Sequence, residues 1–400
     1  MSLNFITANW EFFVFILLLS LFLIYKKKNL VLQGSFPIFY ILMYRTKLGL
    51  DKMRKWSDKH PRTFLYLAYL SIFVGVLGMF FILILMFWQL FYIVSNDIGA
   101  GGGFVLPIKT EKGLESAVPV FYVPFLYWIL AILVLAIVHE FAHGVIAERF
   151  KIRIKSSGFA FFGILAPILP AAFVEPDEKS LESKPKWQQI AVLGAGSTSN
   201  FIFGFLFLLM WIFLAVPFVE NTTQIESIKF SSVMNGSSLE YYNISSGEIL
   251  EFNGISDKNE IMLNFRNLSV NQSIELKINS SGFVETYNVV TFENPMSSDR
   301  GMIGISGIST QTSNKLGWEW IGPIPVIIAQ LLFWLWLLNI GIGLMNLLPI
   351  WITDGGKILL TMLQYKFSLQ TSLSIYNFIS LLSIVLIIFT LWPALLSGFF

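Results

Sequence analysis

Residues 118–150 read VPVFYVPFLYWILAILVLAIVHEFAHGVIAERF, and this stretch decides the fold class of the chain. Its apolar run is longer than the roughly 20 helical residues that cross a hydrocarbon core of about 30 Å. A helix of this length must tilt or project into the headgroups. The stretch therefore predicts a membrane-spanning helix. Its ionisable residues include His139, Glu140 and His143, a class of side chain that is costly within a membrane and usually functional there.

The composition of the whole chain extends this prediction. Of its 400 residues 55% are hydrophobic and 13% are charged, and the mean hydropathy is +0.68, values that a soluble domain rarely shows. The net charge is +2, and no basic block interleaved with aromatic residues suggests a nucleic-acid partner. The chain has no cysteine, which excludes disulfides, thiolate metal sites and a cysteine nucleophile.

Six segments are apolar enough to cross a bilayer, so we predict an α-helical polytopic membrane protein with six transmembrane helices. Two other apolar stretches are too interrupted to span: Asn29–Tyr44, which we interpret as interfacial, and Gly158–Phe173, which contains two prolines. The first segment lacks the basic residues and cleavage site of a signal peptide, so we expect it to be retained. The six segments are Trp10–Tyr25, Phe64–Val94, Val118–Phe150, Ile190–Phe218, Trp318–Leu348 and Leu373–Leu396.

Lysine and arginine are unevenly distributed among the loops, and cytoplasmic loops carry the excess. Ten lie between Lys26 and Arg62, two between the second and third segments, and seven between Arg149 and Lys186. This predicts extracytoplasmic termini and places His139 towards the cytoplasmic side. Every N-x-S/T sequon falls in one stretch that this topology puts outside, although an Asn- and Ser-rich stretch also makes sequons by chance. The sequons are at Asn221, Asn235, Asn243, Asn267, Asn271 and Asn279.

The outer stretch Val219–Leu316 has the pattern of a small β-rich domain, with alternating runs at Ser273–Ile278 and Glu285–Thr291. Within it, SGEILEFNGI at Ser246–Ile255 resembles a strand and turn of a PDZ domain. GMIGI at Gly301–Ile305 resembles the closing strand of PDZ inserts. PDZ domains bind peptides by adding a strand to a sheet edge. The alternative is an unspecialised extracytoplasmic β domain.

The residues HEFAH at positions 139–143 carry the strongest chemical signal. Two histidines four residues apart share one face of a helix, so both imidazoles can bind one cation, and Glu140 is placed to take a proton from water. The pattern predicts a catalytic zinc site, although a single helical histidine is more often a satisfied polar residue or an interface anchor. The third histidine of the chain, His60, lies in a basic loop.

Such a zinc site needs a third protein ligand and one open position. Because cysteine is absent and His60 is remote, a carboxylate has to supply that ligand. The best candidate is Asp354, within NLLPIWITDGG at residues 346–356, which the predicted topology puts at the depth of His139. The alternative is that Asp354 is the N-cap of a helix over Lys357–Leu363.

At these residues the chain resembles the site-2 protease family of intramembrane zinc metalloproteases. The resemblance rests on H-E-x-x-H, on N-x-x-P-x-x-x-x-D-G two spans later, and on GSTSN at residues 196–200, which is similar to the G-x-x-x-N element of the family. It implies Zn²⁺ as the cofactor and Glu140 as the general base. The ligands that it implies are His139, His143 and Asp354.

The resemblance further implies that Asn200 and Asn346 lie near the substrate backbone. From the residues alone, Asn200 can equally join two helices, and Asn346 can cap a broken helix before Pro349. The chain departs from the bacterial pattern at Trp351 and Thr353, so contacts of those two positions are not transferred.

Gly158–Phe173 resembles the re-entrant β-hairpin of the family, whose strand edge can receive an unwound substrate. The implied substrates are single-span membrane proteins in the lipid bilayer, cut within the membrane in regulated intramembrane proteolysis. We expect the outer domain to exclude substrates with bulky outer domains. The expected regions are 1–117 with two spans and a basic loop, 118–218 with the catalytic core, 219–316 as the PDZ-like domain, and 317–400 with the C-terminal spans.

Two other classes of protein compete with this interpretation. A membrane metalloprotease of another family would cut soluble or prenylated proteins and take its third ligand from a downstream Glu, which the Asp-Gly at Asp354 disfavours. The other class is a metal-binding transporter, which would need only the ligands, or an inactive scaffold that uses its outer domain for binding; the intact Glu140 disfavours inactivity. The absence of cysteine and the clustered sequons are compatible with an archaeal cell membrane, and no pattern specifies an oligomeric state.

Overall fold

The structure is a computed structural model that describes residues 7, 9–35, 39–96, 104–107, 120–164, 166–234, 236–294 and 297–397. It divides into two units, one of Met1–Met210 with Gln330–Phe400 and the other of Trp211–Ala329. The helices are α1 (Trp10–Tyr25), α2 (Leu50–Lys59), α3 (Pro61–Asn96), α4 (Phe125–Arg149), α5 (Glu178–Glu182), α6 (Lys186–Met210), α7 (Val216–Thr222), α8 (Ser238–Tyr241), α9 (Lys258–Arg266), α10 (Ile324–Met345), α11 (Asp354–Leu363) and α12 (Leu369–Ser397).

Strands are distributed over both units. The strands are β1 (Leu30–Ser35), β2 (Phe39–Thr46), β3 (Phe104–Leu106), β4 (Val120–Tyr122), β5 (Ile154–Ile164), β6 (Ala166–Pro176), β7 (Thr223–Phe230), β8 (Ser232–Val233), β9 (Gly247–Phe252), β10 (Ser273–Ser280), β11 (Phe283–Val290), β12 (Phe292–Asn294), β13 (Ser297–Met302), β14 (Ile305–Ser306) and β15 (Ser309–Asn314).

Within the described residues, five helices are long and apolar enough to cross a membrane. They overlap five of the six predicted segments. The first predicted segment forms α1 with the predicted bounds, but its 16 residues are fewer than the roughly 20 that a bilayer requires, so a sixth span stays a prediction. The five candidate spans are Pro61–Ser95, Phe125–Arg149, Lys186–Thr222, Ile324–Met345 and Leu369–Thr390.

Three predicted helix bounds are wrong where prolines occur. The sequence predicts a helix from Val118. Residues 118 and 119 lie outside the described residues, 120–122 form β4, and α4 begins at Phe125, directly after Pro124 with ψ 133°. Proline restricts the residue before it to extended backbone, so the helix starts only beyond Pro124. The fifth predicted helix runs from Trp318 to Leu348, whereas α10 begins at Ile324, directly after Pro323, and ends at Met345. Pro349 restricts Leu348 to extended backbone in the same way.

Close contact between α3 and α6 depends on glycine. Gly75 of α3 meets Gly194 of α6, and a Cβ on Gly194 would lie only 2.2 Å from the carbonyl oxygen of Ser71. Ala68 and Ala191 are fully buried in the same cluster. Small residues let helix backbones approach closely in membranes. Helix α6 also contacts α4. The packing on α3 therefore holds α6 beside the HEFAH segment.

The amphipathic helix α2 supports α4 next to the candidate site. Met53 and Ser57 are the buried residues of α2. Met53 packs on Gly144, where a Cβ would lie 2.3 Å from the Met53 sulfur. Because Gly144 follows His143 directly, the basic loop of the sequence contributes a helix that braces the end of α4 that carries the two histidines.

A four-stranded antiparallel sheet in the first unit has the order β1-β2-β5-β6. The stretch Asn29–Tyr44, which the sequence predicts to be interfacial, contributes β1 and most of β2 to it. β5 and β6 pair from Ile154 opposite Pro176 to Ile164 opposite Ala166, a span that includes Gly158–Phe173. Its position relative to a bilayer stays a prediction. Since β6 is the last strand, its outer edge has no strand partner among the described residues and can pair with another chain.

The second unit is β-rich, and its main sheet has the order β11-β10-β9-β7-β15 around its own apolar core. The runs Ser273–Ile278 and Glu285–Thr291 correspond to β10 and β11. The single closing strand predicted over Gly301–Ile305 is wrong. The run is divided between β13 and β14 because Gly304 has a φ of 74°, which a strand does not accommodate. The resemblance to a PDZ domain stays a prediction.

Candidate metal centre

Two imidazoles from α4 converge at the centre of the candidate site. His139 and His143 are 7% and 8% exposed, and their Nε2 atoms lie 3.0 Å apart. Residues four apart on a helix lie one above the other on the same face. The local helical spacing therefore brings two nitrogen donors together in a buried position.

A carboxylate from α11 completes the cluster. Asp354 Oδ2 lies 3.2 Å from His139 Nε2 and 3.1 Å from His143 Nε2. Burial would raise the pKa of the Asp354 carboxyl, but the imidazoles of His143 and His139 hold that pKa well below its usual value. Asp354 therefore offers a charged oxygen donor to the same point in space as the two nitrogens.

Thr353, and not Asp354, is the N-cap of α11. The Thr353 hydroxyl accepts a hydrogen bond from the Gly356 N–H at 3.3 Å and donates to the carbonyl oxygen of Leu348. The alternative interpretation of Asp354 as an N-cap is therefore wrong. Asp354 is instead the first residue of the helix, where the helix dipole stabilises negative charge.

The two glycines after Asp354 allow its segment to fold back on the chain that precedes it. A Cβ on Gly355 would lie 2.0 Å from the carbonyl oxygen of Leu347, and a Cβ on Gly356 would lie 2.0 Å from that of Ile350. These distances are shorter than any real Cβ contact. The two positions after Asp354 therefore require glycine for steric reasons. Any larger residue would collide with the preceding backbone and move the Asp354 carboxylate away from the histidines.

Helix α6 runs past both histidines and contacts the other nitrogen of each ring. His143 Nδ1 donates to the Val192 carbonyl oxygen at 2.7 Å, and the Asn200 amide lies 3.1 Å from His139 Nδ1. Between them, a Cβ on Gly196 would lie 2.4 Å from the Nε2 atoms of both histidines. Asn200 is thus brought to the centre, but its side chain lies behind His139 with no exposed surface.

Val192 and Gly196 are site residues that the sequence analysis did not identify in these roles. The signal was a four-residue spacing, since Val192, Gly196 and Asn200 repeat along α6 as the two histidines repeat along α4. Recognising that signal requires knowing that these two helices pack together, which the sequence pattern does not state.

The donor set fits a tetrahedral divalent metal ion. The three donor atoms, Nε2 of His139, Nε2 of His143 and Oδ2 of Asp354, lie 3.0–3.2 Å from one another. A tetrahedral ion with bonds of about 2.0–2.2 Å separates its ligand atoms by roughly 3.3–3.6 Å, so the three donors need to move apart by only a few tenths of an ångström to hold one. The Val192 carbonyl keeps the proton of neutral His143 on Nδ1, which leaves the lone pair of Nε2 free for a metal.

Glu140 connects this cluster to the edge of the sheet. Its Oε2 accepts a hydrogen bond from the backbone N–H of Val174 at 2.7 Å. Val174 belongs to β6, and by strand alternation Ala172 points its backbone groups to the same outer edge. The carboxylate of Glu140 therefore stands between the metal-ligand cluster and an unpaired strand edge.

A cavity of about 1190 Å³ opens onto these residues, and its wall includes His139, Glu140, Asp354 and Asn346. The Asn346 carbonyl accepts a hydrogen bond from the Gly355 N–H at 2.9 Å. Its side chain has no hydrogen-bond partner among the residues that the structure describes, so it caps no helix end there. The Asn346 amide is therefore available to a molecule in the cavity, and a contact with substrate stays a prediction.

The comparisons with known proteins agree with this geometry. The model of Peptidase family M50 matches residues 127–390, more than half of the chain. An uncharacterized protein of Methanocaldococcus jannaschii is 28% identical over 337 residues, which are 82% of this chain and 78% of that relative. The matched residues 127–390 contain all six residues that the sequence analysis selected for the site.

Proposed function

Because the chain belongs to Peptidase family M50, we propose that it is an intramembrane zinc endopeptidase of the site-2 protease type. Membership of the family makes the chain a membrane-embedded metallopeptidase, and its five apolar helices indicate a multi-pass membrane protein. The proposal adds the metal, zinc, and the substrates, single-span membrane proteins that are cut within their transmembrane segments during regulated intramembrane proteolysis.

One observation carries this proposal. Two imidazoles and a carboxylate, from helices more than 200 residues apart in sequence, lie within 3.2 Å of one another. Glu140 adjoins His139 in the chain, and its carboxylate lines the same cavity as the three ligands. Two nitrogens, one oxygen and an open coordination position are typical of catalytic zinc, whereas structural zinc sites have four protein ligands.

The chemistry divides between the metal and Glu140. Zinc, when bound by His139, His143 and Asp354, supplies a Lewis acid for the scissile carbonyl and makes water a stronger acid. Glu140 takes a proton from the attacking water and delivers it to the amine nitrogen that leaves. The Val174 N–H donates a hydrogen bond of 2.7 Å to Oε2 of Glu140, and this bond orients the carboxylate. The proton therefore moves through one residue in both steps.

A substrate helix must unwind before this chemistry can occur, because its carbonyls are bonded within the helix. The outer edge of β6 offers unpaired backbone groups next to Glu140, and an unwound segment can add to it as a further strand. Residues 170–176 of this strand line the cavity. Strand addition would bring an extended peptide past the metal ligands, and helix-breaking residues in the substrate favour it.

The experiment that tests the function uses the purified protein and a single-span membrane peptide in lipid vesicles. We expect cleavage within the apolar segment, its loss on addition of a zinc chelator, and its recovery when zinc is restored. A peptide of the same length and mean hydropathy, whose apolar segment contains no glycine or proline, serves as the matched control and should be cut more slowly. Cleavage that persists in chelator, or that occurs only outside the apolar segment, contradicts the proposal.

We also propose that residues 219–316, within the second unit, form an extracytoplasmic PDZ-like domain that restricts access, with both termini on the same side and the metal centre towards the cytoplasm. Its sheet and core are its own, as expected of an insert that folds separately. A substrate with a folded outer domain should be cut more slowly than the same substrate without it. Deleting residues 219–316 should remove this difference, and equal behaviour of full-length and deleted enzyme would contradict the role.

A further inference from the structure

Asn200 lies on α6, and its side chain is directed at one partner. The side chain is 0% exposed, and the described residues provide it with one hydrogen bond, from the amide to His139 Nδ1 at 3.1 Å. The other end of the amide, Oδ1, is buried without a partner among those residues. An isolated buried polar group is costly, so an amide at this position needs a reason beyond packing.

The chemistry of His139 supplies that reason. Its Nε2 faces His143 and Asp354, so a metal held there takes the lone pair of Nε2. A neutral imidazole then carries its proton on Nδ1 and requires an acceptor at that position. The Asn200 amide can present either Nδ2 or Oδ1 by a half-turn about its Cβ–Cγ bond, and only Oδ1 accepts.

The second histidine already shows this arrangement. His143 Nδ1 donates to the Val192 carbonyl oxygen at 2.7 Å, a bond that requires the proton on Nδ1. Val192 and Asn200 are eight residues apart on α6, with Gly196 between them next to both Nε2 atoms. One helix thus contacts the Nδ1 atoms of both rings, through a backbone carbonyl at one end and a side-chain amide at the other, and passes their Nε2 atoms at Gly196.

We propose that Asn200 is a positioning residue for the metal centre: its Oδ1 accepts the Nδ1–H of His139 and orients this imidazole so that Nε2 binds the ion. This role differs from contact with the substrate backbone, because the amide lies behind the ring with no exposed surface. The inference rests on the proposed zinc site and concerns how the protein holds it. Outer hydrogen-bond partners of this kind typically contribute about 10- to 100-fold to metal affinity.

The test measures zinc affinity by chelator competition in the purified full-length protein, together with nitrogen-15 NMR of histidine-labelled, zinc-loaded samples. Asn200→Leu should weaken zinc binding by about 10- to 100-fold. Asn200→Asp should keep or increase the affinity, because a carboxylate is a stronger acceptor. The chain has three histidines, so the slowly exchanging Nδ1–H signal of His139 can be identified. It should persist in Asn200→Asp and disappear in Asn200→Leu.

Asn339→Leu is the matched control. Asn339 is also 0% exposed in a helix, also has an unpartnered Oδ1 among the described residues, and donates to Leu335 instead of a histidine. Its substitution should leave zinc affinity unchanged. If Asn200→Leu does not yield folded protein, Asn200→Ala, which introduces no larger side chain, carries the same comparison.

The outcomes separate this inference from the proposed function. A wild-type protein that binds no zinc overturns the proposed function and the inference with it. A wild-type protein that binds zinc, with the same affinity in Asn200→Leu or Asn200→Ala, overturns the inference alone. An equal loss in the Asn200 and Asn339 variants, or a loss in Asn200→Asp as large as in Asn200→Leu, also overturns it.

Discussion

Substitution of Glu140 by glutamine is expected to reduce peptide hydrolysis by about 10²- to 10⁴-fold, the usual contribution of a general acid–base residue. Glutamine has nearly the same shape, and its carbonyl oxygen can still accept the hydrogen bond from the Val174 N–H, which is 2.7 Å from Oε2 in the native protein. It cannot take a proton from water at neutral pH. The donors of His139, His143 and Asp354 are untouched, so zinc content should stay at the wild-type level.

Two measurements are needed on each sample, namely zinc per chain and the rate of cleavage of a single-span peptide. Glu148→Gln is the matched control, because Glu148 lies on the same helix, is partly exposed and is not among the cavity-lining residues. It should leave both quantities unchanged. Full hydrolytic activity in Glu140→Gln would refute the assigned role. Zinc transport that survives the substitution would instead favour the transporter alternative.

Substitution of Gly196 by alanine is expected to abolish both zinc binding and activity. The added Cβ would lie 2.4 Å from Nε2 of His139 and 2.4 Å from Nε2 of His143. The Nδ1 atom of each ring is hydrogen-bonded to α6, at Val192 and Asn200. The rings therefore cannot move away from the added Cβ without losing those hydrogen bonds. Either the imidazoles rotate away from Asp354 or α6 moves from α4. Loss of an outer partner alone costs about 10- to 100-fold in metal affinity, and displacement of two ligands should cost more.

Gly204→Ala is the control for this substitution. Gly204 lies two turns further along α6, and an added Cβ there would first meet the Cδ1 end of the flexible Ile340 side chain, at 2.8 Å. Its zinc content should be that of the wild type, measured by elemental analysis of purified protein. Wild-type zinc content in Gly196→Ala would show that the gap beside the two imidazoles is not required, contrary to the expectation.

Local patterns in the sequence were sufficient for part of this picture. The apolar segments, the four-residue spacing of His139 and His143, and the strands β10 and β11 all depend on neighbours close in the chain, because helix and strand periods repeat within a few residues. The membrane spans can also be predicted locally, since each span needs only its own run of apolar side chains. These features were predicted without knowledge of packing.

The predictions that were wrong concern places where a single residue controls the backbone conformation. The helix predicted from Val118 begins only at Phe125, after Pro124. The strand predicted at residues 301–305 is interrupted at Gly304. The N-cap alternative at Asp354 failed by one position, because Thr353 takes that role. Such differences follow from backbone dihedrals, which residue type restricts but does not determine.

The sequence by itself determined the membrane class of the chain and the types of residue at the site. The sequence also suggested His139, His143 and Asp354 as partners. Only the tertiary structure decided how closely these donors approach one another and what supports them: the carbonyl of Val192 at His143 Nδ1, the amide of Asn200 at His139 Nδ1, and the gap at Gly196. The physical reason is that these relations require one helix to pack against another. That packing depends on contacts between residues far apart in the chain, such as Gly194 with Ser71, which no local period encodes.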